Sequence, residues 1–170
     1  DEFAKWVDMI NGEKPDIVLI AGDIIDRSVE PLLKEGVAQE FRRISAPVYA
    51  CPGNHEYYAG IDKSLRFCKI AGITMLRDTA AAVAGINIIG RDDRTNTRRK
   101  PLEKLVAETD KGKFTILLDH QPYSLGEAQK LGIDFEFCGH THHGQIWPVS
   151  WITDALYEDA YGPLEKGNTN

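Results

Sequence analysis

The residues best equipped for chemistry fall in four short, separated clusters. They are Gly22-Asp23-Ile24-Ile25-Asp26-Arg27, Gly53-Asn54-His55-Glu56, Asp119-His120 and Gly139-His140-Thr141-His142. Asp carboxylate, Asn carbonyl and His imidazole together make a hard-to-borderline oxygen and nitrogen ligand set. Such a set suits Mn, Fe, Zn or a similar divalent ion. Cysteine takes no part in it. Gly22, Gly53 and Gly139 let the backbone turn sharply and approach an ion or a phosphate closely. Each cluster alone is a weak signal; the four in company make a coherent ligand set for a metal ion.

These clusters gain force from the elements that precede them. Each follows an apolar run at once: residues 16–21, 47–51, 114–118 and 135–138. Continuously apolar runs of this length read as strands covered on both faces. In α/β sheets, sites form at the carboxyl ends of strands, so four distant segments deliver their polar groups to one edge. Helices are expected at 1–13, with Phe3, Trp6, Val7 and Ile10 at helical spacing, at 31–44, opened by Pro31, and at 61–71, 101–109 and 123–131. Shorter strands are expected at Ile73–Leu76 and at Val83–Ile89, interrupted by Gly85. Beyond Trp147 the pattern decays into an expected loop.

Bulk properties set the outer bounds. A chain of 170 residues suits one domain. With 42% hydrophobic and 27% charged residues, its composition is that of ordinary globular proteins. A formal net charge of -6 argues against a broad electrostatic grip on nucleic acid. Three cysteines do not make a disulfide framework; Cys51 and Cys138, each ending an apolar run, read as buried thiols. No run reaches the 18 or so apolar residues of a membrane span. The chain opens on Asp1 inside a helical pattern, and this gives the expectation of a segment removed upstream.

In order and spacing, the four clusters resemble the calcineurin-like metallophosphoesterases, and the resemblance covers nearly the whole chain. The run through His143-Gly144-Gln145 is similar to a subgroup whose last motif reads Gly-His-Thr-His-Gly-Gly-Gln, often behind a membrane segment. Here His143 replaces a glycine. The resemblance implies an α/β sandwich of two mixed sheets flanked by helices, truncated at both ends. It implies two divalent ions, Asp23 bridging them, with Asn54, His120 and His140 completing one site and His142 serving the other. The other site's remaining ligands, an Asp-x-His pair, would lie before residue 1, so that site is expected to be incomplete. A hydroxide between the metals would attack phosphorus, and His55, oriented by Asp26, would assist the leaving oxygen.

The expected activity of the parent protein is hydrolysis of a phosphoester, mono- or diester, on a phosphorylated small molecule or lipid precursor, and this chain, with one metal site incomplete, is expected to be weakly active at best. The rivals are a non-catalytic binding module on the same scaffold and a nuclease of the same superfamily. A membrane surface is a possible partner, and the location is either cytoplasmic or membrane-associated through an upstream segment. Arg27 has two readings, a substrate-phosphate clamp or a structural ion pair. Glu56 is expected behind the ligands or on the surface, and His143 at the rim. The mixed-charge run from Arg91 to Lys100 is expected to be a solvated loop rather than a site for anions or lipid. Trp147, Trp151 and Tyr157 are either core aromatics or an interfacial patch.

Overall fold

The computed structural model describes residues 2–143 and 149–170. Gly144, Gln145 and Trp147 of the sequence reading therefore lie outside the described residues. Two sheets face one another, each covered outside by helices. The first has order β1-β2-β3, with β1 Val18–Ala21, β2 Val48–Cys51 and β3 Ile73–Met75, all parallel. The second has order β4-β5-β6-β7, with β4 Thr79–Val83, β5 Ile86–Gly90, β6 Thr115–Leu118 and β7 Phe135–Phe137. Within it β4 runs antiparallel to β5 and the other pairs are parallel, so the mixed character belongs to this sheet.

Three cores explain why the strand runs are apolar on both faces. Cys51, Leu76, Ile88 and Leu118 lie between the sheets, with Ile17, Leu19, Tyr49 and Ile116 packed around them. Outside the first sheet, Val7, Ile25, Val29, Ala38, Phe67, Cys68 and Ala71 fasten the helices α1 Glu2–Gly12, α2 Val29–Lys34, α3 Val37–Phe41 and α5 Ile61–Ala71. Outside the second, Leu102, Leu105 and Ala128 seat α6 Leu102–Ala107 and α7 Leu125–Lys130 against Ile89 and Leu117. The remaining helices are α4 Asn54–Tyr58 and α8 Val149–Leu156.

Four expectations need correction. The helix expected at 31–44 is two short helices, because Gly36 takes the left-handed conformation (φ 73°) and ends one before starting the next. Gly85 does not interrupt a strand but turns a hairpin: Ala84 and Gly85 both have positive φ, the conformation that a tight two-residue connection needs. The region after residue 148 holds α8, whose Trp151, Ile152 and Leu156 are exposed. Asn170 lies along the outer edge of β7, its N–H donating to the Asp134 carbonyl and its carbonyl accepting from the Glu136 N–H. The expected helix at 1–13 is present as α1, with Trp6 half exposed.

The fourth correction concerns the loop after β5. Arg91, Asp92 and Asp93 are buried, not solvated. Asp119 accepts from Arg91 at 3.3 Å and from Arg99 at 3.2 Å, and Arg91 also reaches Glu127 at 2.9 Å. Asp92 is taken by Arg77 (2.7 Å), the Tyr57 hydroxyl (2.7 Å) and the Asn96 amide (2.7 Å). Alternating charge, legible as a polar loop, is here internal pairing that ties β5 to β6 beside the site. Removing one partner of such a network strands the others without solvent. Asp119→Ala is expected to destabilise the metal-free protein by about 3–5 kcal/mol, measured by urea unfolding. A loss well under that would show the network to be peripheral to stability.

Candidate metal centre

The carboxyl ends of β1, β2, β6 and β7 bring Asp23, Asn54, His120 and His140 together. One ligand atom each from Asp23, His120 and His140 lies within 4.8 Å of the others. His120 Nε2 is 3.0 Å from Asp23 Oδ2 and 3.1 Å from Asn54 Oδ1. His140 Nδ1 is 2.9 Å from Asn54 Oδ1 and 3.3 Å from His120 Nε2. The other nitrogen of His120 is 2.6 Å from the Ala21 carbonyl, so Nδ1 carries the proton there and Nε2 turns a lone pair inward. Lone pairs from four side chains then face one another, and they repel unless positive charge stands among them. This donor set fits a divalent cation.

Neighbouring residues hold the cluster in place. Glu56 is fully buried, and its carboxylate accepts from three backbone N–H groups: Gly53 at 2.6 Å, Asp23 at 2.9 Å and Ile25 at 3.0 Å. One side chain thereby locks the turn after β1 to the turn after β2. Asp23 is fixed further by the His55 N–H, which donates to Oδ1 at 3.0 Å and leaves Oδ2 facing His120. A side chain at Gly53 would collide with the Asp23 carboxylate, and one at Gly22 with His120 Nδ1 at 2.6 Å. Asp23, His140 and His142 all adopt positive φ, at 54°, 71° and 49°. Strained backbone of this kind concentrates at functional sites, where surrounding contacts hold it.

His55 and Asp26 also meet. His55 Nδ1 lies 2.8 Å from Asp26 Oδ1 and 2.9 Å from the Asp26 carbonyl, so it donates to that residue and presents Nε2 outward. Arg27 extends into solvent, its Nε 3.6 Å from Asp26 Oδ2. His142 is exposed and stands outside the group of three facing ligand atoms, and it lines a cavity of about 660 Å³ beside His140. His143 is partly buried; its Nδ1 is 2.9 Å from the Thr153 hydroxyl and its ring stacks on Tyr161. Sequence reasoning left Glu56 either behind the ligands or on the surface and could not see its three donors. It passed over Asp93 and Gln121, joined at 2.7 Å beside His120, and Tyr123, whose partner Tyr157 sits edge-on to His140. Nothing in the spacing of these residues marks them out.

Electrostatics follow from the same contacts. Burial disfavours the imidazolium of His120, but the hydrogen bond and charge of Asp23, with the Ala21 carbonyl, raise its pKa above the usual 6.5. Burial likewise pushes Asp23 up, and the His120 and His55 contacts outweigh it to hold the carboxyl below 3.8. Burial and the neighbouring His120 lower His140. A raised histidine contributes stability that is complete below its unfolded pKa and is lost as pH rises through the folded one. In metal-free protein, the Tm gap between wild type and His120→Gln should therefore narrow as pH climbs from about 6 to about 9. Metal affinity should climb over the same interval, because cation and proton compete for Nε2. A gap independent of pH would contradict the pairing.

With geometry in hand, likeness to known proteins becomes informative. Residues 1–144 match the family described as calcineurin-like phosphoesterase, and the chain belongs to that family. It is 34% identical over 174 residues to an uncharacterised metallophosphoesterase of Helicobacter pylori, covering 99% of this chain and 47% of that protein. It is 31% identical over 143 residues to the phosphodiesterase YaeI of Escherichia coli, covering 79% of this chain and 51% of that one. The chain thus spans about half the length of these relatives. The crystal structure of a 5'-nucleotidase precursor from Thermus thermophilus shares the fold, with a TM-score of 0.59 at 20% identity, over 83% of this chain and 36% of that one.

Proposed function

We propose that this chain carries out metal-dependent hydrolysis of a phosphoester, with Asp23, Asn54, His120 and His140 holding one divalent cation and Asp23 and His142 contributing to a second. Family membership points to the reaction class. The observation that carries the reading is the inward-facing set of lone pairs, with Asn54 Oδ1 within 3.1 Å of both imidazoles. When bound, divalent cations there supply Lewis acidity toward the phosphoryl oxygens and lower the pKa of water. Manganese, iron and zinc all suit the donor set.

The chain's own residues divide the remaining work. Asp23 holds Oδ2 toward the cation position while the His55 N–H fixes its other oxygen. His55, with Nδ1 donating to Asp26, presents Nε2 as the acid that protonates the leaving oxygen. Asp26 is 72% exposed, so its contribution is orientation of the ring rather than a strong field. Arg27 can swing onto a substrate phosphate, since among the described residues its ion-pair partner is the solvated Asp26. The cavity beside His140, walled by Phe135, Phe137 and Leu164, has room for the organic part of the ester. A phospholipid or nucleotide-linked lipid precursor fits that chemistry.

Two variants test this reading with Mn and bis-nitrophenyl phosphate. Asp23→Asn is expected to abolish turnover and to lower bound metal counted by elemental analysis. His55→Ala should lower kcat by about two to four orders of magnitude on an alkyl phosphoester, whose leaving oxygen needs a proton, and far less on the nitrophenyl ester, with metal content unchanged. Full activity in Asp23→Asn would remove the proposal, and metal loss in His55→Ala would move that residue from acid to ligand support.

A further inference from the structure

The loop after β5 also holds an arginine that the internal network does not use. Arg91, Arg99 and Lys100 each have a carboxylate partner. Among the described residues Arg94 and Arg98 have none, and of these the Arg94 guanidinium lies 4.7 Å above the ring of Tyr123. The adjacent acids cannot neutralise it, because both are turned inward. Asp92 is held by Arg77 and Tyr57, and Asp93 accepts from the Gln121 amide at 2.7 Å and the Thr95 N–H at 2.8 Å. An uncompensated, exposed cation therefore stands on an aromatic plane, which restricts where the guanidinium can point.

That plane leads to the metal centre. Tyr123 and Tyr157 have ring centroids 4.9 Å apart and hydroxyls 3.3 Å apart, and the Tyr157 ring is edge-on to His140 at 6.3 Å. The segment carrying Tyr157 is fastened to the His140 loop, since the Thr141 hydroxyl donates to the Ala160 carbonyl at 2.8 Å and Tyr161 stacks on His143. Guanidinium, two phenol rings and imidazole thus form one continuous row. Two aromatic rings link the Arg94 guanidinium to His140, one of the candidate ligands.

We propose that Arg94 binds a second anionic group of the substrate, beyond the phosphoester being cleaved, with the Tyr123 and Tyr157 hydroxyls beside it. This assigns the site to doubly anionic esters, and it rests on the reading of Asp23, Asn54, His120 and His140 as the metal centre. A purely structural role, Arg94 merely covering Tyr123, would show in stability and not in ligand preference.

The test compares butylphosphonate with phosphonobutyrate, which share a phosphonate and differ by one terminal carboxylate. Binding to the Mn-loaded chain is measured by calorimetry, alongside inhibition of bis-nitrophenyl phosphate hydrolysis. Wild type is expected to bind phosphonobutyrate about tenfold more tightly than butylphosphonate. In Arg94→Ala the two affinities should become equal, with butylphosphonate binding and metal content unchanged, and Arg94→Lys should recover part of the preference. Equal affinities in wild type, a preference that survives Arg94→Ala, or failure of either phosphonate to bind would overturn the assignment. Hydrolysis indifferent to Asp23→Asn would instead count against the metal centre alone, and the calorimetric comparison would still decide on Arg94.

Discussion

The site depends on one buried carboxylate. Glu56 gathers the N–H groups of Asp23, Ile25 and Gly53, and so joins the ends of two parallel strands whose side chains would otherwise fan apart. Burial pushes its pKa up while the three donors oppose that rise. Backbone N–H groups left without an acceptor in so enclosed a place cost about 1–3 kcal/mol each, so the turn geometry and the carboxylate stabilise one another. Ser64, donating to the Glu56 carbonyl at 3.0 Å, ties this clamp to α5.

On that frame the ligand cluster is an electrostatic arrangement waiting for positive charge. Acceptors placed within hydrogen-bond range of one another raise the free energy of the empty site, and a proton shared between Asp23 and His120 relieves part of it. A divalent cation held there would relieve more, since it would satisfy Asn54 and His140 as well. The Ala21 carbonyl, which belongs to one sheet, sets the tautomer of His120, which belongs to the other. Under the proposed metal reading, cation binding and the docking of the two sheets would be coupled through this hydrogen bond. This coupling accounts for strained backbone at Asp23 and His140, where the turns are shaped by ligand direction and not by local preference.

Around the centre, charged residues divide into two kinds by burial. Arg77, Arg91 and Arg99 stiffen the wall beside His120 through carboxylates that solvent barely reaches. Arg27 and Arg94 remain exposed at the mouth. Under the proposed function, an arginine can meet an anionic ester only where internal pairing leaves it accessible. Pairing inside the loop after β5 is what frees Arg94.

How far the sequence reached depends on the range of the interaction involved. Apolar runs followed by Gly, Asp, Asn or His fixed the strands β1, β2, β6 and β7 and the edge at which Asp23, Asn54, His55, His120 and His140 would meet, because strand periodicity and chain direction are local properties. The split at Gly36 and the hairpin at Gly85 depended on backbone angles that the local residue type allows but does not enforce. The fate of the Arg91–Lys100 loop, the three donors of Glu56 and the row from Arg94 to His140 could not be read at all. Most of their partners, Gly53 beside Glu56 excepted, lie far off in sequence, and whether a charge faces water or a buried carboxylate is decided by which segments pack over it. Sequence determined which chemistry the strand ends could carry; tertiary structure alone decided which groups face inward as ligands, which are spent on internal pairing and which are left free, because burial and orientation are properties of the packed whole.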